Sequence, residues 1–378
     1  MVYLDNAATT AMSEAAITAL VDISSKQYGN PSSAYGFGRK TKEILKESRR
    51  IIAECIGAEP EEIYFTSCGT ESDNWVIQQV RYGWSKLITS SIEHHAILHP
   101  AEALESDNVN VIYLPVDNMC MVSEDALLRE LNGSPVLVSI MMQNNETGAI
   151  QNIKELAQRV HADNSHSIFH TDAVQAVGHL KIDVKDLGID LLSASAHKFN
   201  GPKGVGFIYI NKKCHLKPMI MGGGQENGMR SGTENVAGIY SMAKALEDNI
   251  QSMDNVHDNI SRLERKLLKL LDNENIEYTI NGDSEHRATG IINIAIDGMD
   301  GEGLLNMLDM HDICISIGSA CNSKSQDRSH VLMAMGITDE IIDASVRISI
   351  GRYNTEDDII SLVKWIVKCK KLTLLAES

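Results

Sequence analysis

Between residues 60 and 210, short apolar blocks alternate with longer stretches whose apolar residues recur at helical spacing. Strands are predicted at 62–66, 87–90, 109–114, 136–141 and 167–170. Helices are predicted between them, at about 71–82, 96–104, 123–131 and 153–162. Two more helices precede this region. One is capped by Ser13 and runs to about Gln27; the other runs from about Arg39 to Ile56 and stops at Gly57. Strands that alternate with helices form a largely parallel sheet covered on both faces. Such sheets bind ligands beyond the carboxyl ends of their strands.

The pattern changes after Tyr209. Two glycine-rich runs, Gly222-Gly223-Gly224 and Met229 to Thr233, lead into a helical stretch from 234 to 271, with a bend expected near Met253 to Asn255. Strands are then predicted at 291–296, 314–317 and 346–350, and helices at 302–310 and 357–371. This predicts a large α/β domain over residues 1–250 and a smaller α+β domain over 251–378, with residues 1–15 expected to pack on the smaller one.

Composition narrows the functional classes. Apolar and charged contents of 43% and 22% over 378 residues are those of a soluble globular protein. A net charge of -17 argues against broad phosphate-backbone binding, so no direct nucleic-acid partner is expected. No apolar run approaches membrane-spanning length, and MVYLDNAATT does not read as a secretory signal. The seven cysteines, 55, 68, 120, 214, 314, 321 and 369, form no Cys-x-x-Cys pair. Free thiols in a reducing cytoplasm are therefore expected, with no disulfide framework or zinc site.

Candidate chemistry collects at predicted strand ends. In IDLLSASAHKFNGPKGVGF, Lys198 follows small residues between two apolar runs, and an earlier apolar run ends at Asp172. A lysine and a carboxylate at neighbouring strand ends suit pyridoxal phosphate: the lysine forms a Schiff base and the aspartate keeps the ring nitrogen protonated. Thr66 to Ser72, between a strand and a helix, offers an anion site for the phosphate. There is no Walker glycine-lysine pattern, which disfavours a nucleotide. His95 and His99 have zinc-ligand spacing but no third ligand nearby, and His94 is read as a ring stacked on a flat cofactor. Cys314, in a strand, reads as a buried small hydrophobe. Cys321 lies instead in the polar run GSACNSK, close to Lys324, Arg328 and His330, where cations favour the reactive thiolate. Arg347 and Arg352 flank a short apolar strand, and either planar fork could hold a carboxylate.

These motifs together resemble the cysteine desulfurases, pyridoxal-phosphate enzymes of the class V aminotransferase group. YLDNAATT, NPSS, CGTES, EHHA, NNETG, DAVQ, SAHKFNGPKG, GGGQENGMRSGT and GSACNS occur in that family's order. The last resembles the NifS/IscS-type subgroup. The resemblance implies an aminotransferase-like type I fold and roles for matching positions. Lys198 would carry the cofactor, Asp172 would pair with its ring nitrogen and Gln175 with its phenolic oxygen, and His94 would stack on the ring and serve catalysis by shuttling protons. Cys68, Gly69, Thr70, Ser195 and His197 would hold the phosphate. Thr233 would reach the phosphate of a second copy, implying a homodimer. Asn145, which would also contact the cofactor, Arg347 and Asn6 would bind substrate L-cysteine, and Cys321 would take its sulfur as a persulfide for an acceptor protein of iron–sulfur cluster assembly or thiolation. No resident metal is implied, although Cys321 could transiently share a cluster with a scaffold partner.

The chain departs from the family pattern at Tyr35, where a histidine is usual, and at Arg328, where a proline is usual. It also ends soon after its last helix. A selenocysteine lyase or another class V lyase or aminotransferase would use the same cofactor residues. A non-catalytic sulfur carrier would have no need of Lys198, Asp172 and His94.

Overall fold

The computed structural model describes residues 1–283, 286–318 and 328–377, the last four without their side chains. Cys321 and Lys324 lie outside the described residues. The strands are β1 (Val2–Tyr3), β2 (Ile63–Thr66), β3 (Leu87–Ser90), β4 (Val111–Leu114), β5 (Leu137–Ser139), β6 (Ile168–Asp172), β7 (Leu191–Ser195), β8 (Gly206–Ile210), β9 (Tyr278–Ile280), β10 (Ile291–Ile296), β11 (Ile313–Cys314) and β12 (Ser345–Ser349). The helices are α1 (Glu14–Lys26), α2 (Gly36–Ile56), α3 (Gly69–Gln78), α4 (His95–Ser106), α5 (Glu124–Glu130), α6 (Ile153–Asp163), α7 (Val184–Leu187), α8 (Val236–Asn273), α9 (Gly301–Asp309), α10 (His330–Ala334), α11 (Asp339–Asp343) and α12 (Glu356–Glu377).

The larger sheet has the order β2-β8-β7-β6-β5-β3-β4. The strands from β7 to β4 pair in parallel, and β8 is antiparallel to both its neighbours. Alternate residues of each strand go to opposite faces. Phe169, Leu192 and Phe207 join one apolar cluster with α2, α6 and the first half of α8. Ile168, Leu191 and Ile208 join another with α3 and α4. Burying side chains of this size stabilises by about 1.5–3 kcal/mol each, which accounts for the near-continuous apolar runs of these strands.

The order reverses between β3 and β5. The chain leaves β3 for the outer strand β4, then returns to the other side of β3 and continues inward through β5, β6 and β7. The turns after β3 and β5 diverge there and open a crevice at the strand ends.

The smaller sheet is β12-β10-β9, all antiparallel. A parallel pair joins β1 to β11, and Asp5 bridges to Ser349, so the N-terminal residues lie along the C-terminal part of the fold. Leu263, Leu267 and Leu271 of α8 share this core with Ile359, Leu362 and Ile366 of α12.

The helix expected to bend near Met253 is unbroken from Val236 to Asn273. Asp254 and Asn255 face solvent, while Leu246, Asn249, Met253 and Ile260 carry the buried stripe past them. Residue 250, where the sequence suggests a boundary, lies within this helix; we propose that α8 links two folding units. The helix expected from about residue 71 begins at Gly69, because Cys68 is already its extended N-cap residue. Cys314 is only half-buried, since the two-stranded pair it belongs to is covered incompletely. Among the described residues, no helix is long and apolar enough to cross a membrane.

Candidate active site

A cavity of about 290 Å³ opens at the carboxyl ends of the parallel strands. Five chain segments build it: the turn into α3 after β2, the turn into α4 after β3, the loop after β5, the end of β6, and the residues after β7. Ala7 and Ala8 from the N-terminal segment and Arg347 from β12 close the far side.

The turn into α3 carries the anion end. Cys68 caps α3 with its backbone extended, and its side chain satisfies none of the first-turn N–H groups. Donors at a helix start attract anions. A Cβ on Gly69 would lie 2.5 Å from Val174 Cγ2, so only glycine lets the helix start approach the loop after β6 this closely. Thr70, Ser195 and His197 line the same region. His197 Nδ1 is 3.2 Å from Thr9 Oγ1. Burial, then the nearby Lys198 charge, pushes this imidazole down to about 4, so it is neutral at physiological pH.

Asp172 ends β6, and its Oδ1 accepts the Val174 N–H at 2.9 Å. Burial raises this carboxyl to about 6, while the Val174 N–H and Lys198 act in the opposite direction. A buried carboxyl in this setting suits a cationic N–H partner. Lys198 lies in the turn after β7, and its Nζ donates to the carbonyls of Ala7 at 2.5 Å and Ala8 at 3.0 Å. Gln175 Nε2 also donates to Ala7 O, at 2.9 Å.

His94 is the N-cap residue of α4, and its Nδ1 accepts the Ala96 N–H at 3.1 Å. Burial, then Lys198, lowers it to about 4. A neutral ring that accepts at Nδ1 carries its proton on Nε2. His94 therefore presents an N–H to its surroundings and cannot take a proton at Nδ1 without releasing the cap.

The C-terminal wall has a different character. Arg347 is buried, and its guanidinium donates to Asn145 O at 2.9 Å and to Asp5 Oδ1 at 2.7 Å. Its Nε is buried and has no hydrogen-bond partner among the described residues. Arg352, the other candidate fork, is paired with Asp248 at 2.6 Å and does not line this cavity. Gly318, three residues before Cys321, does line it.

The structure thus brings together Cys68, Gly69, Thr70, His94, Asn145, Asp172, Gln175, Ser195, His197, Lys198 and Arg347. Asn6 lines an adjoining cavity instead, with its Nδ2 donating to Ser349 O at 2.8 Å. Thr233 is exposed and is not among the residues lining the cavity of its own chain. Cys321, as stated, is not described. The His95 and His99 rings stack with centroids 4.7 Å apart, and no metal-holding group of three or more His, Cys, Asp or Glu occurs among the described residues.

Sequence reasoning missed several participants. Asp73 is 1% exposed and lines the cavity. Gly69, Ser72, Asp73 and Val76 form the buried stripe of α3 at i, i+3, i+4 and i+7, and an acid within such a stripe was the available signal. The Ala7 and Ala8 carbonyls and Asp5 carried no local signal, because their partners are remote in sequence. Glu146 was also overlooked. It is buried, which raises it to about 7, and it accepts from Ser329 Oγ at 2.5 Å. A Cβ on Gly318 would collide with its Oε2. Gly318 and Ser329, on either side of the undescribed segment, therefore meet at one buried carboxyl.

The donor set fits pyridoxal phosphate. It offers uncapped N–H groups and hydroxyls at one end, a buried carboxyl at the other, and a neutral imidazole and a lysine between them.

The class-V aminotransferase family matches residues 2–362. A cysteine desulfurase IscS from Methanosarcina thermophila is 44% identical over 363 residues, covering 95% of this chain and 89% of that protein. Its counterpart from Clostridium botulinum (strain Hall) is 43% identical over 364 residues, covering 95% and 91%. Among solved structures, a NifS-like protein superposes with a TM-score of 0.91 at 34% identity, covering 99% of both chains. A structure described as SspA in complex with cysteine gives 0.82 at 31% identity, covering 94% of this chain and all of that one. With its α/β architecture, its mainly parallel sheet and this likeness along nearly its whole length, the chain belongs to the class-V aminotransferase family and, within it, to the NifS/IscS-like cysteine desulfurases of the pyridoxal-phosphate type I fold.

Proposed function

We propose that this protein takes sulfur from L-cysteine, releases L-alanine and carries the sulfur as a persulfide on Cys321 to an acceptor protein. The observation that carries this reading is the meeting of Lys198, Asp172, His94 and Arg347 at one cavity, with Gly318 bringing the chain to its edge just before Cys321. Pyridoxal phosphate, when bound, supplies an electron sink conjugated to the substrate Cα. The α3 N–H groups with Thr70, Ser195 and His197 would hold its phosphate. Asp172 would hold its ring nitrogen, Gln175 its phenolic oxygen, and Lys198 would bond it covalently.

The chain's own residues divide the remaining work. Arg347 and Asn145 orient the substrate carboxylate, with the Arg347 Nε still unused. Lys198 Nζ, as free amine, takes the Cα proton. His94 holds a proton on Nε2 and acts as a donor and stacking plane rather than as a base. The Cys321 thiolate attacks the substrate sulfur. A sulfur–sulfur bond forms as the carbon–sulfur bond breaks, the electron pair stays with the carbon fragment, and protonation yields alanine. A homodimer in which Thr233 meets the phosphate site of a second copy, and a reducing cytoplasmic setting, belong to the same proposal.

Purified protein supplied with pyridoxal phosphate should form alanine from L-cysteine and, with added thiol, sulfide. The Cys321→Ala variant should keep the cofactor's colour and lose sulfide release. Unchanged turnover in that variant would sink the assignment of Cys321.

A further inference from the structure

Asp73 has no place in the chemistry above, although it lines the same cavity as Asp172 and is almost wholly buried. It sits on α3, one turn after the glycine that opens the phosphate end. Its Oδ1 has no hydrogen-bond partner among the described residues. The one basic group within ion-pair distance among the described residues is His170 Nε2, at 3.8 Å. That histidine is not a cation: burial alone pushes its imidazole down to about 3. Its two ring nitrogens are taken by Ser139 Oγ and Ser193 Oγ, each at 2.9 Å. The groups facing Asp73 from the neighbouring elements are Asp172 and His170 on β6, Ser193 on β7, Glu93 in the turn before α4, and Cys68 at the start of its own helix.

Two buried carboxyls that share a site do not both ionise. The partners decide which one keeps the proton. Asp172 has the Val174 N–H and the Lys198 charge to stabilise its anion. Among the described residues Asp73 has only the Ser193 hydroxyl, against the repulsion of Asp172 and Glu93. A phosphate at the α3 N-terminus would add negative charge on the same side.

We infer that Asp73 stands as a neutral carboxylic acid that positions Asp172, leaving the cavity wall with one negative charge, on Asp172, for the ring nitrogen of the cofactor. This rests on the reading of the cavity as a pyridoxal-phosphate site. Burial and Asp172 both push Asp73 well above the usual carboxylate range, in the same sense. Asp73 acts through Ser193, which is paired with Asp172 across β6 and β7, and through the Ser193–His170–Ser139 chain behind it.

An asparagine is the neutral isostere of a protonated aspartate, so Asp73→Asn separates this account from one in which Asp73 is ionised. Holoprotein of wild type, Asp73→Asn, Asp73→Ala and Asp172→Asn would be titrated with pH by cofactor absorbance. Pyridoxal-phosphate affinity would be measured on the apoproteins. Asp73→Asn should leave the absorbance midpoint in place and the affinity within about twofold of wild type, because no charge is removed. Asp73→Ala should bind more weakly and Asp172→Asn more weakly still. A midpoint shift of about one unit or more in Asp73→Asn would show that a charge had been lost, and would overturn the inference. Equal behaviour of Asp73→Ala and wild type would overturn the positioning role. Infrared difference spectra of apo wild type against Asp73→Asn decide the proton directly: an acid C=O band supports the inference and a carboxylate band overturns it. That arm needs no bound cofactor, whereas a wild-type protein that takes up no pyridoxal phosphate counts against the proposed function instead.

Discussion

The two walls of the cavity are built on different principles. The sheet wall consists of strand ends and helix starts whose backbone is held on both sides by packed apolar clusters. Its polar groups are backbone donors and buried or half-buried side chains, among them neutral His94, neutral His197, the Asp172 carboxyl and Lys198. The C-terminal wall offers one charged fork, Arg347, already shared between Asp5 and the Asn145 carbonyl, and the stem at Gly318. The first wall suits a permanent cofactor and fixes the class of chemistry. The second suits a substrate that comes and goes, and in the proposed function Cys321, outside the described residues, decides which member of the class this is. The difference teaches that cofactor binding and sulfur chemistry should be separable by mutation.

Changes to the sheet wall should show in cofactor readouts, and changes to the other wall in substrate readouts alone. The largest effect is expected for Lys198→Ala, which removes both the covalent hold and the Cα base. Turnover of L-cysteine should fall by about 10⁴-fold or more, with loss of the bound cofactor's visible absorbance. Arg347→Lys comes next. It should lower kcat/KM for L-cysteine by roughly 10²-fold, about 3 kcal/mol, through KM, because an ammonium cannot reproduce the fork. Pyridoxal-phosphate affinity, measured by dialysis, should stay unchanged, and parallel loss of cofactor would erase the distinction between the walls. Gly69→Ala should weaken cofactor binding by about 1–3 kcal/mol through its collision with Val174. Adding Val174→Ala should restore most of the loss, and a double mutant no better than the single would place the cause elsewhere.

An effect of similar size at pH 8, vanishing towards pH 4, concerns stability. Asp172 is raised to about 6 in the folded apoprotein, so the folded state holds this proton more tightly than the unfolded chain does. Apoprotein stability is then lost as pH rises from about 4 through 6, and the cost is fully present above that. Asp172→Asn removes it. The apo variant should exceed wild type by on the order of 1–3 kcal/mol at pH 8 in urea denaturation, with the gap shrinking towards pH 4. A gap of the same size at both pH values would contradict the assignment.

Much of the sheet wall was legible in the sequence, because its residues lie within a few positions of apolar runs that mark the strands. Asp172 ends one such run, and Lys198 follows another. Asp73 was hidden because its helix face is read from the stripe around it rather than from a motif. The Ala7 and Ala8 carbonyls that hold Lys198, 191 and 190 residues away, leave no trace in local pattern. Small residues there signal only that something approaches. The unbroken α8 shows the same limit from another side: Asp254-Asn255 looks like a break in one dimension, yet both residues sit on the solvent face of a continuous helix. Arg347 and Arg352 were equal candidates by local pattern, the family resemblance favoured Arg347, and only the three-dimensional structure shows that Arg347 and not Arg352 lines the cavity.

The central claim is that sulfur leaves L-cysteine by way of Cys321. Holoprotein should be mixed with less than one equivalent of L-cysteine and no added thiol, quenched after one turnover, and divided for alanine measurement and peptide mass spectrometry. The account predicts one extra sulfur on the peptide carrying Cys321, in an amount equal to the alanine formed. Alanine formed with the sulfur on another cysteine, or with no sulfur retained by the protein, would contradict it.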